Sequence, residues 1–246
     1  MKKKILLGSW ITLSHPSITE IFANCKEIDY LVIDLEHSVI SLFEVENLIR
    51  IIKSKNKLAI VRLSGIDGTE IKKVLDSGAD GIVVPMIKNL KDVNKVLNYS
   101  LFPPRGSRSF SLSRAYDYGA NFKGYINSFE KKFMIILQIE HIDAVKNLES
   151  IIYSKRIHSI MVGPYDLSGS LGIPGNFGHK KYISALKKID EICRKKNILK
   201  GIHYPEFDKK IFRKLTTQNY KLISYGMDTR ILDAAIKKEF KACSKV

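Results

Sequence analysis

Residues 30–45 read YLVIDLEHSVISLFEV and contain one complete strand-to-helix transition. Tyr30–Asp34 is apolar nearly throughout, which is typical of a parallel strand covered on both faces. Ser41 and Glu44 have the spacing of a capping box at a helix start. The apolar stripe of that helix follows at Val45, Leu48, Ile49 and Ile52. This stretch therefore predicts one βα unit.

The same alternation recurs along the chain. The predicted strands are Ile5–Ser9, Tyr30–Asp34, Leu58–Arg62, Gly81–Pro85, Phe133–Glu140, His158–Gly163, Ile198–Gly201 and Lys221–Ser224. Helix signals lie between them: Asp67 with Glu70 before Ile71, Val74 and Leu75, Asn89 before Val93, Val96 and Leu97, a stripe at Phe207, Ile211, Phe212 and Leu215, and Asp228 before Ile231, Leu232, Ala235 and Ile236. Eight βα units allow a closed barrel or an open doubly wound sheet.

We favour the barrel, because no Gly-x-Gly-x-x-Gly dinucleotide-binding pattern follows the first strand. The length of 246 residues suits one (β/α)8 TIM-barrel domain spanning residues 1–246. Two long connections, Leu101–Lys132 and Ser168–Lys180, follow strand ends, and loops of this length usually have a functional role. The role of residues 101–132 is left open.

Composition narrows the class of protein. Hydrophobic residues make up 45% of the chain, enough for a sizeable core. No apolar run approaches the roughly 18 residues of a membrane span. Lys2–Lys4 precede a short apolar run that ends at Gly8-Ser9-Trp10, which indicates a first strand in a cytoplasmic protein rather than a signal peptide.

The three cysteines and the net charge carry little functional information. Cys25, Cys193 and Cys243 are far apart and include no Cys-x-x-Cys pair, so neither a zinc site nor a disulfide framework is predicted. The net charge is +16, but the lysines are scattered along the whole chain. We therefore expect no nucleic-acid partner, and a non-catalytic nucleic-acid-binding barrel is the alternative of a different class.

Polar residues collect where the predicted strands end. The ends read Asp34-Leu35-Glu36-His37 for strand two, Arg62 for strand three, Gln138-Ile139-Glu140 for strand five and Gly163-Pro164-Tyr165-Asp166 for strand six. In a barrel these ends meet on one rim, which is where barrel enzymes perform their chemistry.

These residue types suit chemistry on a 2-oxo acid. Two carboxylates, completed by water and substrate oxygens, make a site for Mg²⁺ or Mn²⁺. Such a cation can chelate a 2-oxo acid and stabilise its enolate, and Arg62 adds positive charge. His37 is the candidate general base, oriented by an acid such as Asp34. Backbone N–H groups around Gly163–Asp166 could hold the substrate carboxylate.

Each residue also has a structural interpretation. Asp34 and Asp166 could cap helices, and Trp10 and Tyr165 could be either wall or core residues. The other histidines, namely His15, His141, His158, His179 and His203, are interpreted as packed or surface residues.

From about residue 6 to residue 240 the chain resembles the HpcH/HpaI family of metal-dependent (class II) pyruvate aldolases. The matching stretches are Gly8-Ser9-Trp10, Asp34-Leu35-Glu36-His37-Ser38, Val61-Arg62, Gly78-Ala79-Asp80-Gly81, Val84-Pro85-Met86, Pro103-Pro104-Arg105-Gly106-Ser107-Arg108, Gln138-Ile139-Glu140 and Gly163-Pro164-Tyr165-Asp166-Leu167-Ser168.

The resemblance implies a role for each matching position. It implies that Glu140 and Asp166 bind a divalent metal, Mg²⁺ or alternatively Mn²⁺ or Co²⁺. It implies that His37 is the catalytic base, that Asp34 pairs with it, and that Arg62 steadies the pyruvate enolate. The substrate site would be lined by Gln138, Gly163, Pro164 and Tyr165, with Trp10 as a wall residue. It further implies a (β/α)8 barrel that exchanges its last helix, here around Asp228–Phe240, within a hexamer or another trimer-based homo-oligomer.

Two positions depart from the family pattern. The usual Pro-Arg-Gly-x-Arg-Gly has Ser109 in place of its last glycine, and Tyr165 is bulkier than the alanine often found there. Ser109 affects the backbone shape of the loop and so the aldehyde specificity, and Tyr165 narrows the pocket, but neither change concerns metal binding or the base. The sequence does not identify the aldehyde.

The expected reaction is the reversible aldol cleavage of a 4-hydroxy-2-oxo acid to pyruvate and an aldehyde. The base takes the C4 hydroxyl proton, the C3–C4 bond breaks, and the metal stabilises the enolate. Related enolate reactions, namely oxaloacetate decarboxylation and condensation with another oxo acid, are alternatives. A Schiff-base aldolase with Lys200 near the end of strand seven is a further one.

Overall fold

The computed structural model describes residues 5–206 and 208–243. Within them eight parallel strands close into a barrel in chain order, which confirms the predicted barrel over the open sheet. The strands are β1 Leu6–Ile11, β2 Tyr30–Asp34, β3 Leu58–Arg62, β4 Gly81–Val84, β5 Met134–Ile139, β6 Ile157–Val162, β7 Leu199–Tyr204 and β8 Leu222–Met227.

Helices surround the barrel. They are α1 Pro16–Asn24, α2 Leu42–Ser54, α3 Gly68–Asp76, α4 Leu90–Ser100, α5 Phe122–Lys132, α6 Ile142–Lys146, α7 Leu148–Ile151, α8 Pro164–Ser170, α9 Lys180–Lys196, α10 Lys209–Thr217 and α11 Asp228–Cys243. The predicted capping box of Ser41 and Glu44 starts α2, and Asp67 accepts a hydrogen bond from the backbone of Glu70 at α3. Phe207 of the predicted stripe before α10 lies outside the described residues.

Three strands run further than predicted. β1 reaches Ile11 instead of ending at Ser9. β7 reaches Tyr204 instead of ending at Gly201, and β8 reaches Met227 instead of Ser224. Parallel pairing continues past the predicted ends of β7 and β8 through polar and aromatic residues: His203 pairs with Ser224, and Tyr204 with Tyr225.

The barrel interior and the helix layer form separate cores. The interior core consists of Trp10, Tyr30, Val32, Ile60, Val83, Met134, Ile136, Met161 and Leu222. Gly8 leaves room for Tyr30, because a Cβ at Gly8 would come within 2.4 Å of the Tyr30 ring. The larger core lies between the outward faces of the strands and the helices.

The long connection between β4 and β5 is folded rather than an open loop. It contains a 3₁₀ helix, Arg114–Gly119, and α5. The buried Arg108 guanidinium holds it by an ion pair with Asp76 at 2.7 Å, and it lies 4.7 Å from the ring centres of both Phe102 and Phe129.

The last helix is anchored at its start and otherwise largely exposed. The buried Asp228 carboxylate accepts hydrogen bonds from the backbone N–H groups of Thr12 (2.7 Å) and Leu13 (2.8 Å). Beyond it, Leu232, Ile236 and Phe240 are 47%, 49% and 73% exposed. In the part of the chain that the structure describes, no helix has both the length and the apolar character needed to span a membrane.

Candidate active site

Strand alternation places several polar side chains inside the barrel mouth. Asp34, Arg62 and Gln138 each lie two residues beyond an interior-core residue, namely Val32, Ile60 and Ile136. Successive side chains on a strand point to opposite faces, so residues two apart share a face. These three polar side chains, all buried, therefore face the interior at the carboxyl end of the barrel.

An ion-pair cluster occupies one side of this mouth. The Arg62 guanidinium donates to both carboxylate oxygens of Asp34, from Nε at 2.8 Å and from Nη2 at 2.6 Å. Its Nη1 lies 2.8 Å from Glu36 Oε2. Arg62 also lies on the ring of Trp10, 4.3 Å from the ring centre. The guanidinium is therefore held on its edge by two acids and on its face by an indole.

Glu140 is the most buried carboxylate of the other side. One oxygen accepts the backbone N–H of Met86 at 2.6 Å, and the other accepts the Gln138 amide at 2.5 Å. Burial raises the pKa of Glu140 to about 7, opposed by the Met86 hydrogen bond and reinforced by the negative charges of Glu36 and Asp166. Met86 has a left-handed backbone (φ 53°), which is uncommon for its residue type.

Gly163 lies directly beside Glu140, just after the end of the neighbouring strand β6. A Cβ at Gly163 would lie 2.8 Å from Glu140 Oε2 and 3.1 Å from Gln138 Nε2, so the absence of a side chain lets these two side chains lie against the backbone of Gly163. Pro164 is the first residue of α8, and Asp166 lies in its first turn. The Asp166 carboxylate is exposed, and the structure gives it no hydrogen bond within the described part of the chain. The Tyr165 ring packs edge-on against Phe177 at 5.2 Å.

His37 stands at the exposed rim. The acid beside its ring is Glu36, whose Oε2 lies 3.9 Å from Nε2 of His37. Asp34 contacts His37 through the backbone N–H at 3.3 Å and gives both carboxylate oxygens to Arg62. The sequence pattern places Glu36 after the second strand but assigns it no role. Burial raises the pKa of Glu36, opposed by Arg62 and assisted by Asp34 and Asp166.

His203 was also missed by sequence reasoning. Its neighbour Ile202 packs in the outer core, so His203 faces the interior, where its ring stacks on Trp10 with centres 4.0 Å apart. The alternation could have indicated this position if the predicted strand had continued beyond Gly201.

Lys200 does not belong to this mouth, which corrects the prediction that it lies near the end of strand seven. It is the second residue of β7, and its buried ammonium lies 2.5 Å from Asp190 on α9 and 4.2 Å from the ring centre of Tyr220. The predicted strand was too short, which made an early residue look like a late one.

The donor set at Glu140 and Asp166 fits a hard divalent cation. The negative charge of Asp166 helps to raise the pKa of both Glu36 and Glu140, and Glu36 helps to raise that of Glu140, a repulsion that a bound cation would relieve. Gln138 Oε1 is buried with no hydrogen-bond partner among the described residues. Within residues 5–206 and 208–243, no three His, Cys, Asp or Glu side chains form a metal-ligand group, so substrate or water oxygens would have to complete the coordination.

A closed parallel barrel with these ionisable groups at the carboxyl ends of its strands defines a (β/α)8-barrel enzyme. Comparison with known proteins gives the family: the model of the HpcH/HpaI aldolase/citrate lyase family matches residues 6–234. The chain belongs to this family and is an aldolase, a carbon–carbon lyase. Family membership thus sets aside the non-catalytic alternative.

Named relatives and solved structures agree with this assignment. The 4-hydroxy-2-oxovalerate aldolase of Novosphingobium aromaticivorans is 35% identical over 172 residues, which are 70% of this chain and 65% of that protein. The 2-keto-3-deoxy-L-rhamnonate aldolase of Salmonella gallinarum is 28% identical over 236 residues, 94% of this chain and 85% of that protein. An HpcH/HpaI aldolase/citrate lyase family protein from Burkholderia cenocepacia superposes with a TM-score of 0.92 at 25% identity, covering 98% of this chain and 95% of that one.

Proposed function

We propose that this chain catalyses the reversible aldol cleavage of a 4-hydroxy-2-oxo acid into pyruvate and an aldehyde. The observation that carries the proposal is a group of charges at the mouth of the barrel: the Asp166 carboxylate acts electrostatically on the buried Glu140 carboxylate, beside the fixed positive charge of Arg62. The names of the relatives support the substrate class, since they include 4-hydroxy-2-oxovalerate and 2-keto-3-deoxy-L-rhamnonate aldolases.

Glu140 and Asp166 are the residues that would hold a divalent cation, Mg²⁺ by preference and Mn²⁺ or Co²⁺ as alternatives. When bound, the cation supplies a Lewis acid that stabilises negative charge on the oxygen of the enolate. Because Glu140 is fixed by Met86 and Gln138 while Asp166 is exposed, Glu140 sets the position of the site and Asp166 closes it.

Arg62 binds and orients the 2-oxo acid. Its edge is bound by Asp34 and Glu36, so its positive charge keeps one position in the mouth without reorganising during the reaction. Trp10 and Pro164 provide buried walls. The backbone N–H groups of Tyr165 and Asp166 at the start of α8 are the candidate donors to the substrate carboxylate.

His37 moves the proton. In the cleavage direction it takes the proton of the C4 hydroxyl, the C3–C4 bond breaks, and its electron pair forms the C2–C3 double bond of the pyruvate enolate while the aldehyde leaves. The proton then returns at C3 to give pyruvate. The exposed position of His37 allows it to meet a substrate at the rim, and Glu36 is the acid placed to orient its ring.

The test is metal-dependent exchange of the pyruvate methyl protons in D₂O, followed by NMR. We expect exchange with Mg²⁺, its loss with EDTA and its loss in Glu140→Gln, while Glu149→Gln on the exposed surface retains it. A wild-type protein without metal-dependent exchange would contradict the proposal. Product analysis with an aldehyde panel, and with oxaloacetate, then separates aldol cleavage from the related enolate reactions.

We also propose that α11 is exchanged between copies of the chain in a homo-oligomer, where its exposed apolar face, formed by Leu232, Ile236 and Phe240, packs against another copy. These residues recur every four positions and so lie on one helix face. Ile236→Glu is expected to reduce the mass of the assembly in light scattering, whereas Lys237→Ala is not. A monomeric wild-type protein contradicts this proposal.

A further inference from the structure

His203 and Trp10 form a stacked pair in the mouth of the barrel. Their ring centres are 4.0 Å apart and their planes differ by 6°. His203 Nε2 is buried and has no hydrogen-bond partner in the described part of the chain. In the proposed reaction His203 neither binds the metal nor moves a proton.

Packing alone determines the plane of Trp10. The indole is completely buried, and its Nε1 has no hydrogen-bond partner within residues 5–206 and 208–243. A buried indole normally finds a partner for this N–H, which then fixes the ring. In this structure the parallel ring of His203 restrains the orientation of the Trp10 ring instead.

The plane of Trp10 in turn supports Arg62. The guanidinium carbon lies 4.3 Å from the centre of the indole ring, a cation–π distance. Asp34 and Glu36 bind the edge of the guanidinium, and the Trp10 ring lies against its face. A change in the plane of Trp10 would therefore change the direction of the Arg62 charge.

A neutral ring is suited to this contact. Burial and the Arg62 charge lower the pKa of His203 to about 3, against the opposing effect of Asp34. At neutral pH the imidazole therefore stacks on the indole without placing a second cation beside Arg62.

We propose that His203 is a positioning residue: by stacking on Trp10 it fixes the surface on which the Arg62 guanidinium lies, and so the direction in which Arg62 meets the oxygens of a 2-oxo acid. The inference rests on the function proposed for Arg62. It requires a flat ring at position 203 and no proton transfer by that ring.

Trp10 is the only tryptophan of the chain, so its fluorescence reports directly on this contact. We expect His203→Ala to shift the emission of Trp10 and to lower kcat for pyruvate proton exchange by about tenfold, with a smaller effect on KM, as expected for a displaced catalytic group. His203→Phe retains a flat ring and should keep most of the rate. His203→Leu fills the volume without a flat ring and should be impaired even if His203→Ala folds poorly. The matched control is His158→Ala, at the amino end of β6.

Action through Arg62 is tested in an Arg62→Lys background. There His203→Ala should cost less than about twofold, because coupled residues are not additive. The inference would be overturned if the rate loss of the double variant equalled the product of the losses of Arg62→Lys and His203→Ala. It would also be overturned if His203→Ala left the Trp10 spectrum unchanged, or if His203→Phe were as slow as His203→Ala. A wild-type protein without exchange would instead contradict the proposed function. In that case the variants can still be compared by their Trp10 emission and by their affinity for oxalate in the presence of Mg²⁺. Equal oxalate affinities of the wild type and His203→Ala would overturn the inference.

Discussion

Arg62 binds Asp34 through two hydrogen bonds, Nε to Oδ1 at 2.8 Å and Nη2 to Oδ2 at 2.6 Å. Both side chains are buried. This two-pronged geometry is available to arginine but not to lysine, whose ammonium is a point charge. The pair joins the ends of β2 and β3 and fixes a positive charge in the mouth of the barrel.

Removal of Asp34 is expected to destabilise the fold as well as slow the enzyme. Asp34→Ala leaves Arg62 with Glu36 as its remaining acid, and the loss of one partner of a buried ion pair costs about 3 kcal/mol. Urea unfolding measures the loss. Glu46→Ala, which breaks an exposed pair with Arg50, should cost far less, because solvent screens such a pair. Equal losses for the two variants would contradict the importance of burial.

Lys200 is expected to form no covalent adduct with pyruvate. A Schiff base requires an amine that reaches the substrate, but this ammonium is paired with Asp190 in the helix layer. Borohydride reduction in the presence of pyruvate should leave the protein mass unchanged. Lys200→Met should lose stability, because it leaves Asp190 without this partner, yet its folded fraction should keep metal-dependent proton exchange. A trapped pyruvate at Lys200 would contradict the assignment.

Two glycines of the same segment give a matched pair of substitutions. Gly163→Ala places a Cβ 2.8 Å from Glu140 Oε2, so Glu140 must move, and we expect at least about a tenfold loss of activity from misplaced catalytic geometry. At Gly169, within α8, a Cβ meets nothing within 4 Å, so Gly169→Ala should retain activity and stabilise the helix by up to about 1 kcal/mol. Calorimetric titration with Mg²⁺ and enzyme kinetics distinguish the Gly163→Ala variant from the Gly169→Ala variant. Equal activities of the two variants would contradict the proposal that Gly163 makes room for Glu140.

The parts of the site that follow from strand alternation could be predicted from sequence. Asp34, Arg62 and Gln138 each follow an apolar interior position by two residues, and the barrel topology brings their strand ends together. His203 was missed because the predicted strand ended at Gly201, whereas β7 continues to Tyr204.

The remaining features depend on geometry outside regular strands. The Met86 N–H reaches Glu140 from a left-handed backbone conformation, for which Met86 carries no sequence signal. Glu36 lies beyond the end of β2, where alternation no longer predicts direction. The side chain of Lys200 turns towards the helix layer, and only the observed bounds of β7 reveal which end of the barrel it occupies.

Glu140 should make the metal-free protein less stable as the pH rises. Burial raises its pKa from 4.5 to about 7, so between these values the folded protein retains a proton that the unfolded chain has lost. The contribution of this group to stability therefore falls as pH rises through that window, and the penalty is complete above pH 7. Glu140→Gln removes it, and the new amide can pair with Gln138, whose Oε1 is now without a partner among the described residues.

We accordingly expect Glu140→Gln to raise the free energy of unfolding at pH 8 by on the order of 2 kcal/mol relative to the wild type in EDTA, with the difference vanishing near pH 4.5. Mg²⁺ should stabilise the wild-type protein at pH 8, because a ligand that binds only the folded state adds to its stability, and it should leave the variant unchanged. Thermal and urea unfolding at both pH values measure these effects, with exposed Glu149→Gln as the control that should follow the wild type. If Glu140→Gln destabilised the metal-free protein at pH 8, the ionised carboxylate would be stabilising the fold, which would contradict the prediction.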